Sequence, residues 1–189
     1  MPGSDPRLPA VVLTGPPASG KTTVGRSLAR QLGAALLDQD TATAPLTAVV
    51  AELVGVDDLD DQRLAGPTRA ARYETVTALA EDNLRAGLPV VLVAPFSTER
   101  RDLQAWAALE RRLRAAGGSP LLVWLRLDAA IVVHRLRARG EGRDAAKLAK
   151  PNAFTNALDV AEPAVPHLAV DAGRATEDII RDILAALAD

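Results

Sequence analysis

Short apolar runs alternate along the chain with longer segments in which apolar positions recur at helical spacing, and this pattern predicts a parallel sheet covered by helices. The runs Ala10 to Thr14, Ala34 to Asp38, Pro89 to Ala94, Leu121 to Leu127 and His167 to Val170 read as strands, β-branched or Leu-rich except for the Ala-rich second. Between them, Lys21 to Leu32 reads as a helix closed by Gly33, and Arg69 to Ala86 as another closed by Gly87. Arg101 to Ala116 runs to the Gly117-Gly118 pair, and Ala129 to Arg139 follows Asp128, a natural N-cap. Thr176 to Ala188 carries Glu177 and Asp178 in its first turn, where they complement the helix dipole.

Two segments, Thr41 to Pro67 and Gly140 to Pro166, follow neither period. Connections of that length inside a compact domain are usually functional, so 41–72 is expected to form an acceptor-binding flap and 140–152 a lid. The expectation is one α/β domain over 1–189, with an about five-stranded parallel sheet between two helical layers.

Composition narrows the function classes. The chain has 189 residues, 48% of them hydrophobic, which suits one core. A net charge of -2 supplies no general attraction for nucleic acid or an anionic membrane, so any anion site must be local. With no cysteine, disulfides, thiolate metal sites and cysteine nucleophiles are excluded, and two histidines, His134 and His167, make a poor zinc site. The apolar runs are far too short to span a membrane and the first nine residues lack a signal core, so a cytoplasmic protein is expected, as monomer or homodimer.

The chemistry concentrates after the first strand. Gly15-Pro16-Pro17-Ala18-Ser19-Gly20-Lys21-Thr22 matches G-x-x-x-x-G-K-[ST], and it lies between a strand and a helix, where backbone N–H groups and the helix N-terminus converge on one anion. Gly15 and Gly20 let the backbone wrap, Lys21 neutralises phosphate oxygens, and Thr22 is placed to ligate magnesium, with Thr23 beside it in the nucleotide site. A glycine-proline turn that happens to precede a helix would explain neither Lys21 nor Thr22.

Asp38-Gln39-Asp40 ends the second strand, at the sheet edge where ligands bind. On an extended segment the two carboxylates point the same way, one toward a magnesium ion and the other toward an acceptor hydroxyl; the alternative is a polar turn with Asp40 as a cap. Arg135 and Arg139 share a helical face, and Arg143 follows beyond Gly140 and Gly142, an arrangement that suits a closing lid or, alternatively, a solvated basic face. Arg63, Arg69 and Arg72 could contact an anionic acceptor or simply face solvent, while Tyr73 and Phe96 fit either the acceptor pocket or the core. Trp106 and Trp124 lie on apolar patterns and are assigned to the core.

Taken together, the phosphate loop, the D-x-D and the Arg-rich segment resemble the small-molecule kinases of the P-loop superfamily: shikimate kinase, gluconate kinase and chloramphenicol phosphotransferase. Leu88 to Arg101 is similar to the third-strand region of ATP-binding proteins in the same group. The resemblance covers most of the chain, and the phosphate loop is its specific part. It implies a three-layer α/β/α P-loop NTPase fold, ATP and magnesium as cofactors, Asp40 as catalytic base and Asp38 as the acid near the metal. The spacing of Arg135 and Arg139 also resembles the lid entry of adenylate-type kinases, which implies that Arg135 stacks on adenine and Arg139 reaches the phosphates, while the glycine hinge would let Arg143 swing onto the transferring phosphoryl group. Two departures matter. No arginine follows the acidic pair within Thr41 to Thr47, unlike phage-type polynucleotide kinase, and Pro95-Phe96-Ser97 replaces the glycine-rich turn of shikimate kinases, which argues against shikimate as acceptor.

The leading expectation is therefore an ATP-dependent transfer of a γ-phosphoryl group to a hydroxyl of a small molecule. The alternatives are a nucleoside monophosphate-type kinase and an ATP-binding or ATP-hydrolysing regulator without a small-molecule acceptor.

Overall fold

The computed structural model describes residues 7–56, 61–139 and 159–188. Five strands, β1 (Leu8–Thr14), β2 (Ala35–Asp38), β3 (Val90–Val93), β4 (Gly118–Arg126) and β5 (Leu168–Asp171), form one parallel sheet in the order β2-β3-β1-β4-β5. The helices are α1 (Lys21–Leu32), α2 (Gln39–Val54), α3 (Gln62–Arg85), α4 (Leu103–Ala115), α5 (Ala129–Arg139) and α6 (Thr176–Ala188).

Alternation along β1 divides the core in two. Val11 and Leu13 point into a cluster with Val24 and Leu28 of α1, Val132 and Leu136 of α5, and Ile179 and Ile183 of α6. Ala10 and Val12 point the other way, against Ala80 and Leu84 of α3 and Trp106, Leu109 and Leu113 of α4. Each fully buried Val or Leu contributes about 1.5–3 kcal/mol, so the two faces together hold the central strands in place. A methyl at Gly25 would come within 2.7 Å of a Val93 methyl, so α1 lies closer to the sheet than any larger residue permits. Because every strand runs the same way, the chain segments after β1, β2 and β3 emerge along one edge.

Thr41 to Pro67 is the main correction to the sequence pattern, because most of it is helical: α2 occupies 39–54, and α3 starts at Gln62, seven residues before Arg69. The reason is an inverted pattern. The residues of α2 that face inward are Gln39, Thr43, Thr47 and Ala51, spaced by four, whereas Leu46 and Leu53 are exposed, so apolar periodicity points at the wrong face. Pro45 and Pro67 sit inside these helices and further mask them. The α4 start also shifts, because residues 97–101 form a turn and the Asp102 carboxylate caps the helix by accepting from Gln104 and Ala105 N–H. Gly33 closes α1 and both tryptophans are buried, as the pattern predicts. Among the described residues no helix is long and apolar enough to cross a membrane.

One long-range clamp has no sequence signature. Arg100, 3% exposed, pairs with the Asp159 carboxylate and donates to the carbonyls of Ala161 (2.7 Å) and Asp159 (2.9 Å), fastening the β3–α4 turn to the segment before β5. Arg101 reaches the same carboxylate at 2.6 Å. Arg100→Ala is expected to cost about 2 kcal/mol, below the range for fully buried pairs because Asp159 is partly solvated, and to lower Tm by about 4–8 °C. Burial pushes the Asp159 carboxyl up, but hydrogen bonds from Arg101 and Arg100 outweigh it and hold its pKa below the usual value. This contribution is complete above about pH 4 and is lost as pH falls through the lowered folded pKa. Thermal melts should accordingly show a constant gap between wild type and variant from about pH 7 to 5, narrowing below pH 4. Equal melting at neutral pH would remove the clamp from the account.

Candidate active site

The loop between β1 and α1 wraps around the N-terminus of α1. Gly20 takes the left-handed N-cap conformation (φ 86°), and nothing lies within 4 Å of where its side chain would be, so the space beside it is open. Ala18 is also left-handed (φ 56°), a conformation that costs a non-glycine residue free energy and survives where the surroundings impose it. Gly15 packs so tightly that a methyl there would meet the Leu125 carbonyl at 2.8 Å. Lys21 bends back across the loop, donating to the carbonyls of Gly15 (2.9 Å) and Pro16 (2.8 Å).

Three observations test this loop as a phosphate cradle. No side chain caps the N-terminus of α1, and none of the residues in its first turn is acidic, so its first N–H groups are not taken up by a side-chain cap. The Ser19 hydroxyl is buried without a hydrogen-bond partner among the described residues. These features fit a polyphosphate.

Thr22 and Asp38, the two residues expected to hold magnesium, lie in contact. The Thr22 hydroxyl donates to the Asp38 carboxylate at 2.8 Å, so a side chain from α1 and one from the end of β2 share one small space. Among the described residues there is no cluster of three or more His, Cys, Asp and Glu. A magnesium ion needs none, since it takes one or two protein oxygens and completes its shell with phosphate and water.

Asp38 and Asp40 are not neighbours on one extended strand. Asp38 ends β2 and is itself the N-cap of α2, accepting from the N–H groups of Asp40 (3.0 Å) and Thr41 (3.4 Å). Asp40 belongs to the first turn of that helix and is not its cap. Its side chain is 69% exposed and pairs with Arg72 of α3 at 2.8 Å, while the Arg72 Nε donates to the Thr43 hydroxyl at 3.0 Å. The same Asp38 carboxylate thus meets Thr22 with one oxygen and orients the helix bearing Asp40 with the other.

Arg69, one turn from Arg72, donates to the Ser97 hydroxyl at 2.7 Å and lies over the Tyr73 ring, 5.6 Å from its centre. Tyr73 meets Phe96 edge-on, and Phe96 is buried in the core. Arg63 turns instead to Asp61 at the exposed start of α3. Asp128 accepts the Val132 N–H with its carbonyl, as the residue opening α5 should.

Arg135 joins two loops, donating to the Ala18 carbonyl of the phosphate loop (3.3 Å) and to the Ala172 carbonyl after β5 (3.0 Å). Arg139 closes α5, but its side chain lies outside the described residues, as do Arg143 and the whole of 140–152. Ser97 carries no motif and escapes sequence patterns, because only the fold brings it to Arg69 of α3. The pairing of Arg72 with Asp40 escapes as well, although the three-residue spacing of Arg69 and Arg72 does mark a shared helical face.

Comparison with known proteins agrees with this geometry. Two curated shikimate kinases match short stretches: that of Corynebacterium efficiens is 62% identical over 32 residues, and that of Mycobacterium leprae 39% over 69. These stretches make up 17% and 35% of this chain and span only 19% and 35% of the relatives' own lengths. Among solved structures, an APS kinase of Mycobacterium tuberculosis in complex with AMPPNP and APS superposes with a TM-score of 0.63 at 21% identity, over 98% of this chain and all of that one. A gluconokinase from Sinorhizobium meliloti gives 0.59 at 20% identity, over 97% of this chain and 94% of that one. At such identities the likeness shows the fold, that of the P-loop kinases. Residues 11–164 match the model of a family described as an AAA domain, and the chain belongs to that family of P-loop proteins.

Proposed function

We propose that the protein is an ATP-dependent phosphotransferase that moves the γ-phosphoryl group to a hydroxyl of a small molecule. The observation that carries this reading is the double use of Asp38: it accepts from Thr22 beside the phosphate loop and caps α2 so that Asp40 stands in the adjacent first turn. A switch or motor needs the first contact but has no use for an exposed second carboxylate held by an arginine.

In the reaction, the acceptor hydroxyl oxygen forms a bond to the γ-phosphorus while the bond to the bridging oxygen breaks, and ADP leaves with that electron pair. Asp40 orients the hydroxyl and accepts its proton, and Arg72 keeps the Asp40 carboxylate in place. Lys21 and the N–H groups of residues 15–22, with Thr23 alongside in the first turn of α1, bind the phosphates. Thr22 and Asp38 would hold magnesium, which neutralises charge on the transferring group when bound. Arg135 borders the base side, between the phosphate loop and the loop after β5, and Arg139 and Arg143 are assigned to the transferring phosphoryl group.

ADP release measured over a panel of hydroxyl-bearing metabolites, with mass spectrometry of the products, tests the reading. One class of acceptor should raise ADP release well above the ATP-only rate and gain one phosphoryl group. Uniform slow hydrolysis across the panel would favour the regulatory alternative instead.

A further inference from the structure

Arg72 meets Asp40 with only one corner of its guanidinium. Its Nη2 donates to Asp40 Oδ1 at 2.8 Å, and the adjacent Nε donates to the Thr43 hydroxyl at 3.0 Å. Nε and Nη2 share one planar edge, the fork that elsewhere grips both oxygens of a single carboxylate. Here the fork is divided between two side chains, Asp40 and Thr43, which stand one turn apart on α2.

The two ends of this grip differ in burial. Thr43 is 4% exposed on the inward face of α2, whereas the Asp40 side chain stands largely in solvent. An exposed ion pair is worth little by itself, because two long or mobile side chains must give up their rotamers to hold it. The buried bond to Thr43 removes that freedom from the arginine. With Nε anchored, the rigid plane of the guanidinium sets where Nη2 lies, and Nη2 in turn sets where Oδ1 of Asp40 is drawn.

Thr43 is suited to the accepting part. Its single hydroxyl hydrogen is committed to the Gln39 carbonyl at 2.7 Å, which leaves its lone pairs for the guanidinium. A β-branched side chain also has few χ1 choices in a helix, so the oxygen stays in place. Thr68, Thr75 and Thr77 of α3 make the same backward bond, to the carbonyls of Leu64, Ala71 and Tyr73, as helical threonines commonly do. Among the described residues, Thr43 alone of these four also accepts from a charged donor.

We propose that Thr43 is a positioning residue of the phosphotransfer site, fixing the Arg72 guanidinium so that Asp40 holds Oδ1 to the arginine and turns Oδ2 to the acceptor hydroxyl. The assignment rests on the phosphotransferase reading and extends it by one residue that touches neither substrate. It also explains how a base on an exposed helical turn keeps a defined orientation.

The contact is read without turnover by proton–nitrogen NMR of the full chain, in which the Arg72 Nε–H signal is identified by its loss in Arg72→Ala. Its exchange with water should quicken about 10-fold in Thr43→Val, which lacks the oxygen, and stay close to wild type in Thr43→Ser. Steady-state rates with ATP and the best acceptor of the ADP-release panel should show kcat lowered about 10-fold in Thr43→Val, with KM for ATP within about twofold. Thr43→Ser, which restores the hydroxyl, should return kcat to within about threefold of wild type. In an Arg72→Ala background Thr43→Val should add less than about twofold, because Thr43 acts through the arginine. Unchanged Nε–H exchange, unchanged kcat, an equal loss in the absence of Arg72, or no recovery in Thr43→Ser would each overturn the assignment. Transfer that is indifferent to Thr43→Val removes this role and leaves the phosphotransferase reading standing. Absence of transfer by the wild type to any acceptor overturns that reading and the role with it, even where the bond between Arg72 and Thr43 is found.

Discussion

Replacing Lys21 with alanine should abolish useful turnover, lowering it about 10²- to 10³-fold, and should weaken ATP binding in the presence of magnesium by about 10- to 100-fold. Both effects have one origin. The Lys21 ammonium bridges the Gly15 and Pro16 carbonyls, which places a positive charge inside the loop rather than out in solvent. Charge placed in advance stabilises the phosphates as they bind and, more strongly, as negative charge shifts onto the leaving oxygen, because no reorganisation has to be made at that moment. The fold should survive, since α1 is anchored on the sheet by Val24 and Leu28 and capped by the backbone of Gly20. Isothermal titration with ATP and magnesium, alongside a thermal melt, separates these consequences. Unchanged affinity and unchanged activity would sink the phosphate-loop account.

Asp40→Asn should give the opposite profile: ATP affinity within about twofold of wild type and turnover reduced about 10²- to 10⁴-fold. The Asp40 side chain is exposed and contributes nothing to the core, and the cap of α2 belongs to Asp38, so the substitution leaves the scaffold intact. Loss of the exposed Arg72 pair and of one charge at a helix N-terminus together cost about 1 kcal/mol at most. What the variant lacks is a group able to accept the hydroxyl proton, because an amide orients a hydroxyl but takes no proton from it. Titration with ATP and steady-state rates on the best acceptor measure the split. Intact turnover would show that another group serves as the base.

Much of this arrangement is legible in the residues themselves. The phosphate loop is a contiguous motif whose position between β1 and α1 follows from a buried apolar run and a glycine-started helix. The gathering of strand ends along one edge of a parallel sheet led to the expectation that Asp38 and Asp40 face Lys21; the contact that forms is between the Thr22 hydroxyl and Asp38. The relation of Asp38 to Asp40 was not legible. An extended D-x-D predicts two parallel carboxylates, but an N-cap followed by a helical turn separates their tasks, and α2 is hidden because its inward face is polar. Local propensity reads Pro45, Pro67 and the threonines as loop, and only packing against α3 overrides it.

The sequence by itself determined the alternation of strands and helices, the phosphate-loop motif between β1 and α1 and the residue types at the ends of β1 and β2. Those features depend on neighbours within one element, so local patterns encode them. Only the tertiary structure decided which face of α2 is buried, that Arg72 lies on Asp40 from 32 positions away, and that Arg100 anchors the segment before β5. Each of these is a meeting of polar side chains from separate elements. Such meetings leave no periodic trace in the chain, because they are stabilised by desolvation and geometry that exist only after the sheet has brought the elements together.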